Sequence, residues 1–208
     1  MSFTSKEDFL ARAAHRLEST EATFDEPVRT DYDLNPDWRA PPGSVYRRAA
    51  VLIGLVDRGE DFSVLLTLRP ETMASHAGQV AFPGGRVEPG ETPLQAALRE
   101  AHEEVGVDQA SVRLLGQGDT YLTGSGFAIA PFVGLLPPEF VPVPHAREVA
   151  DVFETPLSFL MDAGNHERHE KEYKGVLRAY YAMPHNGRYI WGATAGILKS
   201  LHDRLYGA

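Results

Sequence analysis

Cysteine is absent from the 208 residues of this chain, so disulfides are excluded and the redox compartment is not otherwise marked. Basic residues are in short supply: 20 Lys and Arg face 29 Asp and Glu, for a net charge of -9 at pH 7. A nonspecific nucleic-acid binder needs a basic surface, so no nucleic-acid partner is expected. The two tryptophans and eight tyrosines are spread along the chain and form no base-stacking platform. Long apolar runs are missing too. The opening MSFTSKEDFLARAAHRL is amphipathic and charged, with nothing long enough for a signal peptide or a span, and the closing Tyr-Gly-Ala is no peroxisomal address. A cytoplasmic protein with no membrane partner is the expectation. Repeats and low-complexity tracts are also absent, while a 43% hydrophobic content suffices for one sizeable core.

What is present is a sequence of well-punctuated elements. Lys6 to Leu17 reads as a helix with Phe9, Leu10, Ala13 and Leu17 on one side, followed over residues 20–47 by a polar, proline-bearing connection. AAVLIGLV from Ala49 and FSVLLTLR from Phe62, separated by DRGED, predict an antiparallel hairpin. Gln79 to Phe82 is a short strand. VRLLGQGDTYLT and FAIAPFVGLL read as strands joined at Gly124 to Gly126, with Pro131 marking an edge or a bulge. LPPEFVPVPHA is too rich in proline for a helix and reads as a loop of the kind that shapes binding sites. Val149 to Phe153 and Val176 to Met183 add strands, and a last helix runs from about Ala193 to Tyr206 with Ile197, Leu198, Leu201 and Leu205 packed. The class is α/β.

The densest chemistry lies between Gly85 and Val107, in GRVEPGETPLQAALREAHEEVGV. Thr92 caps a helix there, Pro93 takes its first position, Gln95 completes a capping box and Gly106 ends it. Leu94, Ala97, Leu98, Ala101 and Val105 form an apolar stripe, and Glu100, Glu103 and Glu104 share an arc on the opposite side. Those glutamates break local rules. Glu100 and Glu104 are like charges one turn apart, and Glu103 and Glu104 sit near the negative end of the helix dipole. A divalent cation held by clustered carboxylates would reverse the sign of both penalties. A solvated acidic face is the competing reading of the glutamates alone.

The pattern of Gly85, Glu91, Arg99, Glu100, Glu103, Glu104 and Gly106, with Ala101 and Val107 at aliphatic positions, resembles the signature box of the Nudix hydrolases. The resemblance implies a Nudix-type α/β/α sandwich with a mixed central sheet over residues 46–208, preceded by the helix and connection of 1–45. It implies hydrolysis, dependent on Mg2+ or Mn2+, of a diphosphate linked to another moiety. By that likeness Glu100 and Glu104 are metal ligands and Glu103 is a ligand or a catalytic base. The Gly84–Gly85 backbone would approach the ion and the substrate, and Glu91 and Arg99 would pair to hold the turn against the helix. Because the whole chain is acidic, an anionic diphosphate would have to be met by metal and a few local arginines.

Upstream, LLTLRPETMASHAGQVAFPGG is similar to the signature of the coenzyme A pyrophosphatase branch of that family, through Leu65, Leu66, Thr67, Arg69, Gly78, Phe82, Pro83, Gly84 and Gly85. REVADVFETPLSFLMD and RYIWGATAGIL also resemble it. Pro70 stands where the branch has Ser or Ala, and Ala74 where it has an arginine. The substrate implied is coenzyme A or a derivative, cleaved to phosphopantetheine and adenosine 3′,5′-bisphosphate. Arg69 would clamp a phosphate with its planar fork or else order its loop through an acidic neighbour. His76 would contact substrate. Glu148, beyond the proline loop, is a candidate extra ligand or water-activating base, and His102 falls on the shoulder of the acidic helix. ADP-ribose, a nucleotide sugar or a dinucleoside polyphosphate is the alternative substrate, and a non-catalytic nucleotide-binding regulator the alternative of another class. The partner expected is a small nucleoside diphosphate derivative, and a homodimer is allowed.

Overall fold

The computed structural model describes residues 3–18, 24, 29–35, 37–38, 43–71, 77–173 and 175–207. His76 and Ala74 therefore lie outside the described residues. In chain order the elements are α1 (Lys6–Arg16), β1 (Arg29–Thr30), β2 (Arg47–Asp57), β3 (Phe62–Leu68), β4 (Val80–Ala81), β5 (Gly84–Arg86), α2 (Pro93–Val105), β6 (Arg113–Gln117), β7 (Tyr121–Leu122) and β8 (Phe127–Leu136). They continue with β9 (Asp151–Pro156), α3 (Leu157–Leu160), β10 (Glu167–Tyr173), β11 (Val176–His185), β12 (Arg188–Trp191) and α4 (Ala193–Tyr206).

β2 organises the molecule. It runs parallel to β8 along almost its whole length on one side, from Arg47 opposite Phe127 to Val56 opposite Leu136. Its other side is divided: Ala49 to Val51 pair with β5, and Leu55 to Asp57 pair with β3 in the expected hairpin. Between them the Leu52 N–H donates to the Pro83 carbonyl. The sheet continues through β3 to β9 and β4, and through β8 to β6, β7 and β1, nine strands among the described residues and of mixed direction. Along β2 the side chains alternate between two cores, as a pleated strand requires. Leu52 and Val56 face α2 together with Ala101 and Val105, whereas Ile53 and Leu55 face α4 and α1 together with Leu198, Leu201 and Phe9. Helices on both faces of a mixed sheet make the α/β/α sandwich.

Three details depart from the pattern in the sequence. VRLLGQGDTYLT is broken into β6 and β7 at residues 118–120. Pro131 lies in β8, in the middle of the sheet and not at its edge, and the break explains how. The Gly118 N–H donates to the Pro131 carbonyl, so the imide nitrogen of Pro131 faces the interruption between β6 and β7, where no ladder bond is lost. β10 and β12 flank β11 in a separate antiparallel sheet of three strands. β10, with the sequence ERHEKEY, carries no apolar alternation by which it could be read.

The connection between α1 and β2 is anchored. Asn35 donates to the Ala179 carbonyl (2.9 Å) and accepts from the Ala179 N–H (2.8 Å), which ties the segment to β11. α1 itself is capped by Ser5, whose hydroxyl accepts from the Asp8 N–H, and its Phe9 is fully buried edge-on to Phe62. Phe9→Ala should therefore cost about 3–5 kcal/mol of global stability in chemical denaturation. A loss below about 1 kcal/mol would mean that α1 unfolds independently of the sandwich.

Candidate active site

α2 begins and ends as its local chemistry dictates. The Thr92 hydroxyl accepts from the Gln95 N–H, the Gln95 side chain accepts from the Thr92 N–H, and Gly106 closes the helix in the left-handed region at φ 75°. The proline loop then docks on its C-terminus. The N–H groups of Val143 and His145 donate to the carbonyls of Val105 and Glu104, two acceptors that a helix end leaves without intrahelical donors. This docking brings Glu148 to within electrostatic reach of Glu100 and Glu104.

The three glutamates of α2 do not share one environment, in contrast to the common solvated arc of the helical wheel. Glu104 is only 5% exposed, Glu100 is half-buried and Glu103 points outward. The difference arises because β5 lies over one flank of α2. Gly84 and Gly85 have no side chain there: a Cβ at Gly85 would collide with the Glu100 carboxylate, and one at Gly84 with the backbone of Ala50 and Val51. Glycine thus lets the backbone reach the carboxylates, and the Gly84 N–H donates to Glu104 Oε2 at 3.1 Å.

Arg99 holds the arrangement together. Its Nε and Nη2 donate to the two oxygens of Glu91 (2.9 and 3.2 Å), and Nη2 also donates to the Arg86 carbonyl. Its Nη1 is shared between Glu100 Oε1 (3.0 Å) and Glu103 Oε2 (3.1 Å). Glu91 accepts the Glu88 N–H as well. Hydrogen bonding to Arg99 holds the Glu91 carboxyl below the usual carboxylate range. One guanidinium therefore fastens the 86–91 turn to the helix and partly neutralises the acidic side.

Electrostatics single out Glu104. Burial pushes its pKa up to about 7; the Gly84 amide and Arg69 oppose this, while Glu100 and Glu148 add to it. Burial also raises Glu100, against the bond from Arg99. Among the described residues no three acidic or histidine side chains stand close enough to hold a cation as oriented. The donor set nevertheless fits a hard divalent ion: carboxylate oxygens of Glu100, Glu104 and Glu148 beside a backbone stripped of side chains at Gly84 and Gly85.

Beside this cluster opens a cleft of about 380 Å³, lined by Arg69, Gly84, Gly85, Arg86, Phe127 and Trp191 among others. Arg69 follows β3, and its Nε is buried without a hydrogen-bond partner among the described residues. A buried donor left unpaired carries a penalty that an anionic ligand would remove. His102 is exposed and bonds the Val107 carbonyl through Nδ1. The tryptophans are not dispersed in space. Trp38 and Trp191, far apart in sequence, line one adjoining cavity with Tyr180, a convergence created by the segment tied down through Asn35 and by β12, neither of which carries a readable pattern.

A NUDIX domain family model matches residues 45–177. The Uncharacterized Nudix hydrolase NudL of Yersinia pestis (strain Pestoides F) is 38% identical over 160 residues, which span 76% of this chain and 80% of that protein. Among solved structures, the Nudix hydrolase RenU from M. Smegmatis aligns with a TM-score of 0.47 and 25% identity over 54% of this chain and 71% of its own. A C. elegans Ap4A hydrolase binary complex aligns with a TM-score of 0.47 and 20% identity, over 52% and 80%.

Two outcomes follow from the carboxylate geometry. The folded-state pKa of Glu104 lies above its unfolded value, so its contribution to stability is complete below about pH 4.5 and is lost as pH rises through about 7. Without metal, Glu104→Gln should melt level with or above wild type near pH 8, by up to roughly 2–3 kcal/mol, yet retain little hydrolytic activity. A variant that hydrolyses at the wild-type rate would refute the role of Glu104. Arg99→Ala strands Glu91 and leaves Glu100 and Glu103 without their cation. It should lower stability by about 1–3 kcal/mol in denaturant and reduce activity, with Arg99→Lys recovering only part of either. Wild-type stability and activity in Arg99→Ala would mean that the fork orients nothing.

Proposed function

The chain belongs to the Nudix hydrolase family, and on that premise we propose that its site cleaves the diphosphate linkage of coenzyme A or an acyl derivative. The observation that carries the proposal is Arg69, the arginine of the LLTLR motif, which lines the cleft with Gly84 and Gly85 and whose buried Nε has no hydrogen-bond partner among the described residues. Glu100 and Glu104 would hold a Mg2+ or Mn2+ ion, with the Gly84–Gly85 backbone next to it. When bound, that ion neutralises phosphate oxygens and lowers the pKa of water.

The remaining work belongs to residues of the chain. Arg69 binds a phosphate and supports Glu104 in its ionised form, since its charge already opposes the upward shift of that carboxyl. Arg99 and Glu91 keep the turn on the helix. Glu148 is our choice for the group that accepts the water proton, because it lies within electrostatic reach of Glu100 and Glu104 and, among the described residues, its one ion pair is with His145 at 3.4 Å. Glu103 is engaged by Arg99 on the outer flank, which makes it a positioning residue. Water adds across one P–O bond of the diphosphate: its oxygen joins one phosphorus, the bridging oxygen leaves with the other, and two phosphomonoesters result. No covalent enzyme intermediate is required.

A second reading rests on Ala74. An enzyme without the branch arginine at that position could serve ADP-ribose, a nucleotide sugar or a dinucleoside polyphosphate, none of which needs a 3′-phosphate contact. A silent nucleotide-binding module is disfavoured because Glu100, Glu103 and Glu104 keep a costly arrangement that such a module would not use. A panel of diphosphates incubated with Mg2+ or Mn2+ and read by mass spectrometry tests these readings. Coenzyme A should yield phosphopantetheine and adenosine 3′,5′-bisphosphate, and 3′-dephospho-coenzyme A should turn over more slowly. Inert coenzyme A with rapid cleavage of ADP-ribose would remove the coenzyme A reading and leave the family membership standing.

A further inference from the structure

The cleft has a second lobe. A cavity of about 430 Å³ adjoins the first and shares Gln79, Thr123, Ser125, Trp191 and Ala193 with it. Its far wall carries Trp38, Lys171, Arg178 and Tyr180. In the antiparallel pairing of β10 with β11, Lys171 stands directly opposite Arg178. Like charges in that relation destabilise a sheet. Among the described residues Lys171 forms no ion pair with an acidic side chain, whereas Arg168, on the other face of the same strand, pairs with Glu170 at 2.7 Å. Among the described residues that line this cavity, Asp31 is the acidic one. It is half-buried, and its oxygens accept from the Tyr121 hydroxyl (2.8 Å) and the Gly124 N–H (2.7 Å).

Aromatic rings frame the charge. The Arg178 guanidinium lies 3.6 Å from the centroid of the Trp38 ring, and Tyr180 meets Trp191 edge-on at 5.3 Å. Trp38 reaches its place because Gly124 has no Cβ, which would collide with the indole, and because Asn35 ties its segment to Ala179. Flat apolar faces beside two adjacent cations, in a cavity of this size, suit one nucleoside that bears a phosphate of its own.

We propose that this lobe is the specificity subsite for the nucleoside end of the substrate, with the base against Trp38, Tyr180 and Trp191 and an off-axis phosphate monoester on Lys171 and Arg178. The inference deepens the coenzyme A reading and rests on it for the identity of the ligand: the 3′-phosphate of coenzyme A is such a monoester. Lys171 and Arg178 supply the cations that the sequence lacks at position 74.

Trp38 and Trp191 are the two tryptophans of the chain, so intrinsic fluorescence reports on this cavity. Metal-free full-length protein would be titrated with adenosine 3′,5′-bisphosphate and with adenosine 5′-monophosphate. Wild type should bind the bisphosphate about tenfold or more tightly than the monophosphate, and Lys171→Ala and Arg178→Gln should bring that ratio close to unity. Lys171 is exposed on a strand, so its variant keeps the fold, as a thermal melt would verify. In turnover, the rise in KM caused by Lys171→Ala should be about tenfold larger for coenzyme A than for 3′-dephospho-coenzyme A, with kcat changed little for either. Equal binding of the two nucleotides by wild type, or an unaltered ratio in both variants, would overturn the subsite even if coenzyme A is hydrolysed. A Lys171-dependent preference for the bisphosphate in a protein that leaves coenzyme A intact would uphold the subsite and refute the substrate.

Discussion

Glu104 is a carboxylate almost without water, placed at the negative end of a helix and one turn from another carboxylate. Each of these circumstances disfavours its charge; burial above all raises its pKa to about 7, with Glu100 and Glu148 adding to the shift. Much of the surrounding structure can be understood as support for that one unfavourable group. The Gly84 amide offers it a hydrogen bond, Arg69 offers it a positive field, and Arg99 removes part of the charge of its neighbour Glu100. A divalent ion would turn the same repulsion into coordination.

The sheet fixes the geometry of this arrangement. β2 pairs with β8 on one side and with β3 and β5 in succession on the other, and the gap between β5 and β3 is where residues 82–83 pass over to bring the glycines above α2. The proline loop satisfies the last carbonyls of the helix and in doing so carries Glu148 toward Glu100 and Glu104. The cleft opens beside the same glycines, so the acidic cluster and the cleft wall share a backbone.

α2 was legible to within a residue because its caps are local: Thr92, Pro93, Gln95 and Gly106 each act through groups three or four positions away. The β2–β3 hairpin was legible because two apolar runs flank a glycine-bearing turn. The unequal burial of Glu100, Glu103 and Glu104 was not, since a helical wheel carries no information about the strand that covers one flank. Nor was the lobe around Trp38 and Trp191. Its walls come from a polar connection, a charged strand and a short strand near the last helix, which only long-range pairing brings together. The Lys171–Arg178 opposition is invisible until β10 is recognised as a strand. Pro131 misled because the rule that keeps proline out of central strands depends on whether a partner is present at that residue, and here the partner is interrupted.

Glu104, as the metal ligand proposed above, would exchange a proton for a divalent ion. Calorimetric titration of the metal-free protein with Mn2+, in buffers of different ionisation enthalpy, measures the protons released on binding. With the Glu104 carboxyl near a pKa of 7, binding at about pH 6.5 should release a substantial fraction of one proton, release should fade by about pH 8.5, and Glu104→Gln should abolish it. Mn2+ that binds with the same affinity and no proton release at either pH, in wild type and variant alike, would contradict the account.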